Sequence, residues 1–350
     1  MLADPSQLIQ IDGAHGEGGG QILRTCLALS LRTGRPFQLS RVRHNRDKPG
    51  LRPQHLVAVQ SAAQLGAARV EGAHVGSSEL TFSPQLTTMS AGNYHFDIGT
   101  AGSAPLVLQT LLPALLAADG VSTLHITGGT YNPKAPPFDF VARSFVPALR
   151  LMGITLQVEL LRPGFYPKGG GQLRATITPC ARPGRLDLLT RGPVQQQRAT
   201  VLSAKLPAHI ATRELEVLRT ALRWPASSFT VRELPDSYSP GNVVLIELQS
   251  ERLTEVFSCV GERGVPAEDV ARSCLQEAQT YLAAEVPVGE HLADQLLLPM
   301  ALGEGGQFLT TQPSLHTLTQ IDMLQRFLPV HSAVTQKTAA TFLIAVSPVG

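Results

Sequence analysis

His316 is the side chain of this sequence best placed to act as a nucleophile. Apolar residues recur at helical spacing over residues 318–328, and Thr319 with Asp322 matches a capping pattern. We therefore expect His316 at a strand-to-helix junction, just ahead of a helix N-terminus. The positive end of a helix dipole attracts phosphate and disfavours protonation of a nearby imidazole, which keeps the ring nucleophilic. The chain has ten histidines, so the pattern alone leaves a structural role open.

A glycine-rich turn at residues 13–25, GAHGEGGGQILRT, runs into another predicted helix. Glycine allows backbone N–H groups to approach a phosphate at a helix N-terminus. Glu17, Gln21 and Arg24 fall on one side of this helix if it is extended backwards, and an acid beside an arginine suits a site for a metal and a phosphate. The spacing matches neither the dinucleotide-binding nor the Walker pattern. A purely structural turn stays open as the alternative.

A basic segment follows at residues 41–55, RVRHNRDKPGLRPQH, although the whole chain has a net charge of only +2. Its prolines and glycine predict a loop that enters a helix at Pro53. Arg43 and Arg46 in this loop could bind phosphate through paired hydrogen bonds. The alternative is a solvated charged loop. Because the overall charge is nearly neutral, any contact with nucleic acid must be local.

A third polar group opens an apolar helix in GEHLADQLLLPMAL, residues 289–302. It consists of His291, Asp294 and Gln295. Asp294 could cap the helix or face a ligand, and the residue type alone favours capping.

The elements that must position these side chains alternate between strand-like and helix-like segments, which predicts an α/β (α+β) fold. With 43% hydrophobic residues, the chain of 350 residues can bury a substantial core. Its four cysteines form no Cys-x-x-Cys pair, so neither a zinc site nor a disulfide framework is predicted. We expect a cytoplasmic protein, because no signal peptide or membrane-spanning apolar run is recognisable. Helices are predicted at residues 21–31, 53–65, 104–118, 138–152, 295–302 and 318–328.

Short segments recur along the chain. GGGQILR at residues 18–24 resembles GGGQLR at 169–174 and GEGGQF at 303–308. QTLLPALL at 109–116 resembles QLLLPMAL at 295–302. We interpret this recurrence as a repeated unit of sheet and helices, with chance similarity of glycine-rich turns and leucine-rich helices as the alternative.

A different pattern, without these recurrences, occupies residues 184–283. Its strand-like and helix-like segments indicate a small inserted α/β domain. We therefore predict a large catalytic repeat domain formed by residues 1–183 and 284–350, interrupted by this insertion.

Seven motifs resemble, in order and spacing, those of the RNA 3′-terminal phosphate cyclase family. They are GEGGGQILRT, RDKPGLRPQH, GTAGSAPLVLQTLLPALL, GGTYNPKAPPFDF, GFYPKGGGQ, HLADQLLLPMAL and PSLHTLTQIDMLQRFLP. The resemblance runs from about Ile11 to Pro329. It implies a large domain of repeated βαβαββ-type units, like those of enolpyruvyl transferases, with a smaller thioredoxin-like insertion.

The resemblance also implies a ligase-type enzyme of RNA processing that binds ATP and a divalent metal, Mg²⁺ or Mn²⁺. In this family a histidine, here His316, attacks the α-phosphorus of ATP and is adenylylated as pyrophosphate leaves. The RNA 3′-phosphate then takes up the adenylate, and the neighbouring 2′-hydroxyl closes a 2′,3′-cyclic phosphate and expels AMP. The implied partners are ATP and RNA with a 3′-phosphate end, with no membrane.

Single residues acquire roles through the same resemblance. Glu17 matches the acid that helps to hold the metal, while Arg24 and Arg43 join His316 as catalytic residues. Arg46 and Gln54 match positions that contact the substrate phosphate. The positions that match nucleotide-binding residues are Gln109, Pro136, His291, Leu292, Ala293, Asp294 and Gln295.

Two positions depart from the family pattern. His291 occupies a place where several members have tyrosine, so its ring offers less surface for stacking on adenine. Tyr131 stands where members often carry an acid, and the sequence indicates no function for it. A non-catalytic cyclase-like factor of ribosome biogenesis and an enolpyruvyl transferase are the alternative functions; Glu17 and His316 would be lost in the former.

Overall fold

The computed structural model describes residues 7–86 and 88–349, which form four four-stranded sheets. Three of the sheets have one topology, in which the first two strands are parallel neighbours and the last strand pairs antiparallel with both the second and the third. Each of these sheets comes from one βαβαββ unit. The α/β fold class and the repeated unit predicted from the sequence are therefore confirmed.

The first unit contains the glycine-rich turn and the basic segment. Its sheet has the order β1-β2-β4-β3, with β1 parallel to β2 and the other pairs antiparallel. Both segments follow the carboxyl ends of parallel strands, the edge where α/β sheets bind ligands. The elements are β1 (Ile9–Asp12), α1 (Gly20–Thr33), β2 (Phe37–Ser40), α2 (Pro53–Gly66), β3 (Arg69–Glu71) and β4 (Leu80–Ser83).

The second unit repeats this arrangement with the strand order β5-β6-β8-β7. Its second helix is a short α-helix, a π-helical turn and a further α-helix in direct succession. The elements are β5 (Asn93–Asp97), α3 (Ala104–Leu115), β6 (Ser122–Gly128), α4 (Phe138–Phe140), the π-helical turn (Val141–Phe145), α5 (Val146–Leu151), β7 (Leu156–Arg162) and β8 (Gly171–Ile177).

The third unit begins with β9 (Leu186–Leu188) and is then interrupted by an inserted segment with its own sheet. The inserted sheet has the order β11-β10-β12-β13, with β10 parallel to β11 and antiparallel to β12, which is a thioredoxin-like arrangement. Its elements are β10 (Val194–Ala204), α6 (Ala208–Leu222), a 3₁₀ turn (Ala226–Ser228), β11 (Phe229–Glu233), β12 (Gly241–Ser250), β13 (Thr254–Val260) and α7 (Ala267–Ala284).

After the insertion the third unit is completed in the order β9-β14-β16-β15. Strand β9 falls inside the segment 184–283 that we predicted for the inserted domain, yet it pairs in parallel with β14 of the third unit. The division of the chain into two domains at the predicted boundaries stays a prediction. The remaining elements are α8 (Glu290–Ala301), β14 (Gly306–Thr310), α9 (Leu315–Phe327), β15 (Val330–Gln336) and β16 (Phe342–Pro348).

One of the two recurring sequence segments occupies equivalent positions in the second and third repeated units. QTLLPALL lies on α3 and QLLLPMAL on α8, each the first helix of its unit, and both helices contain an internal proline. The glycine-rich recurrence is different, because residues 18–24 enter a helix whereas 169–174 and 303–308 enter strands. Our interpretation of the glycine-rich segments as equivalent parts of a repeat was therefore wrong, since glycine marks tight turns before either type of element.

The inserted sheet is buried on both faces. One face, including Val201 and Ile246, packs on α6 and α7. The other face, including Leu202 and Leu245, joins the apolar core that runs through the three repeated units. Central strands covered on both sides become continuously apolar, as the VVLI sequence of β12 illustrates. In the described part of the chain, no helix has both the length and the apolar character required to cross a bilayer.

Replacing Gly306 by alanine should destabilise the protein more than the same change at Gly34. Both glycines have positive φ angles, 131° at Gly306 and 72° at Gly34. A Cβ atom at Gly306 would collide with the Leu186 carbonyl oxygen of β9, whereas one at Gly34 would meet nothing within 4 Å. We expect Gly306→Ala to lower the free energy of unfolding by at least ~2 kcal/mol more than Gly34→Ala. Urea unfolding measures this, and equal losses would contradict the β9–β14 pairing.

Candidate active site

A cavity of ≈ 510 Å³ lies where the first helices of all three units approach α9 and the inserted sheet. Seven predicted site residues from different parts of the sequence line it together, along with Ser258, Cys259 and Glu277 of the insertion. The seven are Arg24, Gln109, Pro136, His291, Asp294, Gln295 and His316.

His316 is held by one ring nitrogen. Its Nδ1 lies 2.7 Å from Gln21 Oε1, while Gln21 Nε2 donates to Gln320 Oε1 at 3.2 Å and to Asp294 Oδ2 at 3.4 Å. Because the Gln21 NH₂ group already donates to two acceptors, its oxygen faces the histidine, and Nδ1 must carry the proton. The lone pair of His316 is therefore on Nε2, and the side chain is exposed at the cavity.

The surroundings of His316 favour its neutral form. Partial burial lowers the pKa of the imidazole, and the positive charges of Arg24 and Arg46 lower it further. A neutral imidazole with a free Nε2 is the form that can attack an electrophile.

The helix start at His316 differs slightly from our prediction. Helix α9 begins at Leu315, so His316 belongs to its first turn rather than preceding it. The cap is Ser314, whose hydroxyl accepts the Thr317 N–H at 3.2 Å. The Thr319–Asp322 capping pattern was wrong, because Thr319 is one turn inside the helix, where its hydroxyl donates to the Leu315 carbonyl.

The glycine-rich turn brings its backbone against side chains of the basic segment. An added Cβ at Gly20 would lie 2.5 Å from His55 Nε2 and 3.0 Å from Arg24 Nη1. A Cβ added at Gly19 would collide with the Glu17 carboxylate, which forms an ion pair with Arg46. Glycine is required here because the chain passes directly over these polar groups. The glycine turn and the basic loop, predicted separately, thus form one polar pocket.

The arginines of this pocket have different environments. Arg24 is largely buried, and burial lowers its pKa to about 10. Arg43 has a positive φ of 54° and donates from Nη1 to the Lys48 and Gly50 carbonyls, at 2.8 and 3.0 Å. One edge of the Arg43 guanidinium therefore holds the conformation of the basic loop. Arg46 is exposed and reaches Glu17.

His55 is a polar residue of the site that sequence reasoning did not identify. It is 3% exposed and its Nδ1 accepts the Arg52 backbone N–H at 3.3 Å, so any proton on the neutral ring is on Nε2, toward Gly20. Burial and the nearby arginines, Arg24 first among them, lower its pKa to about 3. The one available signal was the motif RPQH, in which a histidine occupies the first turn of a helix at the end of a segment with five cations.

Helix α8 directs polar groups to the cavity and is held by the insertion. Gly289 caps its N-terminus, so capping by Asp294, the interpretation favoured from residue type, was wrong. Asp294 lines the cavity one turn later, and burial raises its pKa to about 7. Gln295 Oε1 accepts a hydrogen bond from Gln109 of α3. Glu255 of β13 accepts the Gly289 N–H at 2.6 Å, which ties the insertion to this helix.

The comparisons with known proteins agree with this geometry. Residues 15–334 match the family model described as RNA 3′-terminal phosphate cyclase. The chain belongs to the RNA 3′-terminal phosphate cyclase family. A protein of that name from Koribacter versatilis (strain Ellin345) is 48% identical over 330 residues, which cover 94% of this chain and 92% of the relative. Another, from Ralstonia nicotianae (strain ATCC BAA-1114 / GMI1000), is 49% identical over 338 residues and 96% of each chain.

A search of solved structures gives a distant neighbour, the enolpyruvyl transferase NikO from Streptomyces tendae. It has 12% sequence identity and a TM-score of 0.36. The match covers 97% of this chain, which spans about half (48%) of the length of that protein.

Membership of the cyclase family confirms the recognition from sequence motifs and makes the chain a member of a family of enzymes. Six predicted residues do not line the cavity, and three of them, Glu17, Arg43 and Arg46, belong to the polar pocket described above. Leu292 and Ala293 are buried in the packing of α8. Gln54 is exposed, and its Cβ would lie 2.8 Å from a Cβ added at Gly102 in the loop after β5.

Tyr131, one of the two departures from the family pattern, has a well-defined environment. This residue is fully buried, stacks on Phe165 and donates its hydroxyl to Asp139 at 2.6 Å. Asp139 also faces Arg143 and Arg232, the latter on the insertion. At this position the chain thus has a buried phenol hydrogen-bonded to a carboxylate.

The buried His55 should make stability fall at acidic pH. Its folded pKa of about 3 lies below the ordinary value of 6.5, so the unfolded chain binds a proton that the folded chain excludes. This contribution is complete above pH 6.5 and is lost as pH falls toward 3. Between pH 7 and 5 the loss should be about 2 kcal/mol. Urea unfolding of wild type and His55→Gln at both pH values tests this, and the variant should lose about that much less.

Proposed function

We propose that this chain catalyses the ATP-dependent conversion of an RNA 3′-terminal phosphate into a 2′,3′-cyclic phosphate. The observation that carries the proposal is the hydrogen bond between His316 Nδ1 and Gln21 Oε1, which leaves Nε2 free at the cavity. Membership of the cyclase family and the names of the two relatives support the same activity.

In the first step, Nε2 of His316 attacks the α-phosphorus of ATP. The P–N bond forms as the bond to pyrophosphate breaks, which leaves a covalent histidine–AMP. The imidazole becomes positive as this bond forms, so the Nδ1–H bond to Gln21 strengthens on the way to the intermediate. The N-terminus of α9 directs partial positive charge to the same place, where it stabilises phosphate oxygens.

The leaving pyrophosphate needs cations and N–H donors. Burial lowers the pKa of both Arg24 and Arg43, and a nearby positive charge lowers each further, that of Arg43 for Arg24 and that of Arg52 for Arg43. A bound polyanion relieves this repulsion. His55 Nε2–H and the backbone of the glycine turn add neutral donors. Arg46 would reach the phosphates by leaving its ion pair with Glu17.

Glu17 fits the role of a metal ligand. Its side chain is 7% exposed, and neither carboxylate oxygen has an oriented hydrogen-bond donor in the described residues. That part of the chain also contains no group of three or more His, Cys, Asp or Glu that could hold a metal by themselves. Mg²⁺ or Mn²⁺ held by one carboxylate with phosphates and water suits this arrangement, and the ion would neutralise phosphate charge.

The nucleoside would be bound by the opposite part of the cavity. Pro136 and His291 both line it and provide the surfaces for adenine, while Asp294, Gln295 and Gln109 provide the polar contacts. Leu292 and Ala293 support these residues from within the helix packing.

The last two steps return the enzyme to its starting form. An oxygen of the RNA 3′-phosphate attacks the phosphorus of histidine–AMP, and the P–N bond breaks. The ribose 2′-hydroxyl then attacks the 3′-phosphorus, and AMP leaves with its oxygen. Nε2 of His316, free again after the second step, is the base available to take the hydroxyl proton. Gln54 and Arg46 would orient the RNA phosphate in this sequence.

The runner-up function is a non-catalytic, cyclase-like factor of ribosome biogenesis. Such a protein needs neither a free nucleophile nor a polar pocket beside it. The tautomer of His316 and the cluster of Arg24, Arg43 and His55 favour catalysis. Failure of the folded protein to form a covalent adenylate would favour this second function.

His316→Ala should abolish covalent labelling of the protein by ATP. The wild type, incubated with α-³²P-labelled ATP and Mg²⁺ or Mn²⁺ without RNA, should retain an acid-labile, base-stable label after denaturation. His331→Ala, at an exposed strand position, is the control and should label like the wild type. Label in His316→Ala, or none in the wild type, would contradict the proposed intermediate.

Glu277→Gln should weaken ATP binding only while His291 is present. Glu277 Oε2 of the insertion lies 3.5 Å from His291 Nε2, and this carboxylate raises the pKa of the imidazole to about 9. Because the pair is exposed, we expect a roughly threefold loss of affinity. His291→Tyr keeps an aromatic ring without the charge, so adding Glu277→Gln to it should change nothing more. Calorimetric titration measures the ATP affinity of the wild type, the two single variants and the double variant. If Glu277→Gln lowered this affinity equally in the wild type and in His291→Tyr, its effect would not depend on His291 and the prediction would be wrong.

A further inference from the structure

Three loops, two of which carry an exposed aromatic ring, pack against one another beside the cavity. Asn132 and Lys134 line the cavity, and Asn132 donates to the Ala101 carbonyl of the neighbouring loop. A Cβ at Gly169 would lie 2.7 Å from Ala101 Cα, so the β7–β8 loop packs on the same place. The β7–β8 loop in turn joins the insertion, where Lys168 N–H donates to Ser239 Oγ at 3.1 Å. These contacts pack the three loops against one another, and we call the loops together the loop platform.

Two tyrosines project from the loop platform. Tyr166 is 75% exposed, more than any other large apolar or aromatic side chain in the described residues, and Tyr238 is 50% exposed. The Arg162 guanidinium lies 4.2 Å from the centre of the Tyr238 ring, which fixes that ring and brings a positive charge beside it. Exposed aromatic rings at a ligand site commonly serve as stacking surfaces.

The charges of the loop platform are mainly positive. Lys134, Arg162 and Lys168 belong to it, and within residues 7–86 and 88–349 none of them forms an ion pair with an acid. Asp236 is the one acid in the connection that carries Tyr238. Cations that no protein carboxylate neutralises are available to phosphates, and they alternate here with aromatic rings.

We propose that the loop platform binds the unpaired nucleotides that precede the RNA 3′-phosphate. Single-stranded RNA is the partner whose chemistry fits, because its bases can stack on Tyr166 and Tyr238 while its phosphates contact Lys134 and Lys168. A paired strand offers no free base faces to these rings. The assignment rests on the proposed function, since it assumes that the terminal phosphate enters the cavity at His316.

The test compares single-stranded RNAs that carry a 3′-phosphate and differ in length, a dinucleotide and a decamer. For the wild type, we expect a KM about tenfold lower for the decamer. Tyr166→Ala combined with Tyr238→Ala should raise the KM of the decamer about tenfold, as loss of base stacking predicts, and leave the dinucleotide unchanged. The corresponding double Phe variant keeps both rings and should behave like the wild type.

Labelling by α-³²P-labelled ATP without RNA should be the same in all these proteins, since the platform takes no part in the first step. Fluorescence anisotropy with the labelled 3′-phosphorylated decamer measures binding without turnover, so it tests the platform even if no cyclisation occurs. A wild type that binds both lengths equally would overturn the proposal. So would a double Ala variant that loses the same factor for dinucleotide and decamer, because the defect would then lie at the terminal phosphate.

Discussion

The hydrogen bonds of the Gln21 side-chain amide are the constraint on which the active site depends. This residue of α1 contacts His316 and Gln320 of α9 and Asp294 of α8, so one amide joins the first repeated unit to the third. Gln320 Oε1 also accepts from Thr25, and this leaves a single orientation of the Gln21 amide that satisfies its neighbours. The tautomer of His316 therefore depends on how the first and third repeated units pack against each other.

The inserted segment belongs to the same framework. Its sheet contributes apolar residues to the common core, Glu255 holds the start of α8, and Glu277 contacts His291. Arg143 of the second unit pairs both with Asp139 of the same unit and with Glu247 of the insertion. Buried charged groups are costly unless they are paired, so these contacts favour one position of the insertion. The cavity thus has one wall made by the inserted segment, in addition to those made by the repeated units.

Much of this architecture was accessible from the sequence. Helical periodicity located the helices that carry Arg24, Gln109 and His316, and leucine-rich recurrence identified equivalent helices α3 and α8. Local patterns failed where an interaction comes from a distant element. Asp294 resembled a cap because nothing nearby in sequence indicates Glu255. The Thr319–Asp322 pattern competed with a cap at Ser314, five residues before Thr319. His55 was missed because burial among arginines is a property of the packed pocket.

The connection between the first strand and the first helix differs among the three repeated units. The link between first strand and first helix is the glycine turn with Glu17 in the first unit, the loop that meets Gln54 in the second, and the whole inserted segment in the third. All three links leave the same edge of equivalent sheets. If the units descend from one duplicated ancestor, then its copies diverged at a single joint while their strands and helices kept their order. On that view, the lengths of the three links, and not the repeated strands and helices, are what make the three units different from one another.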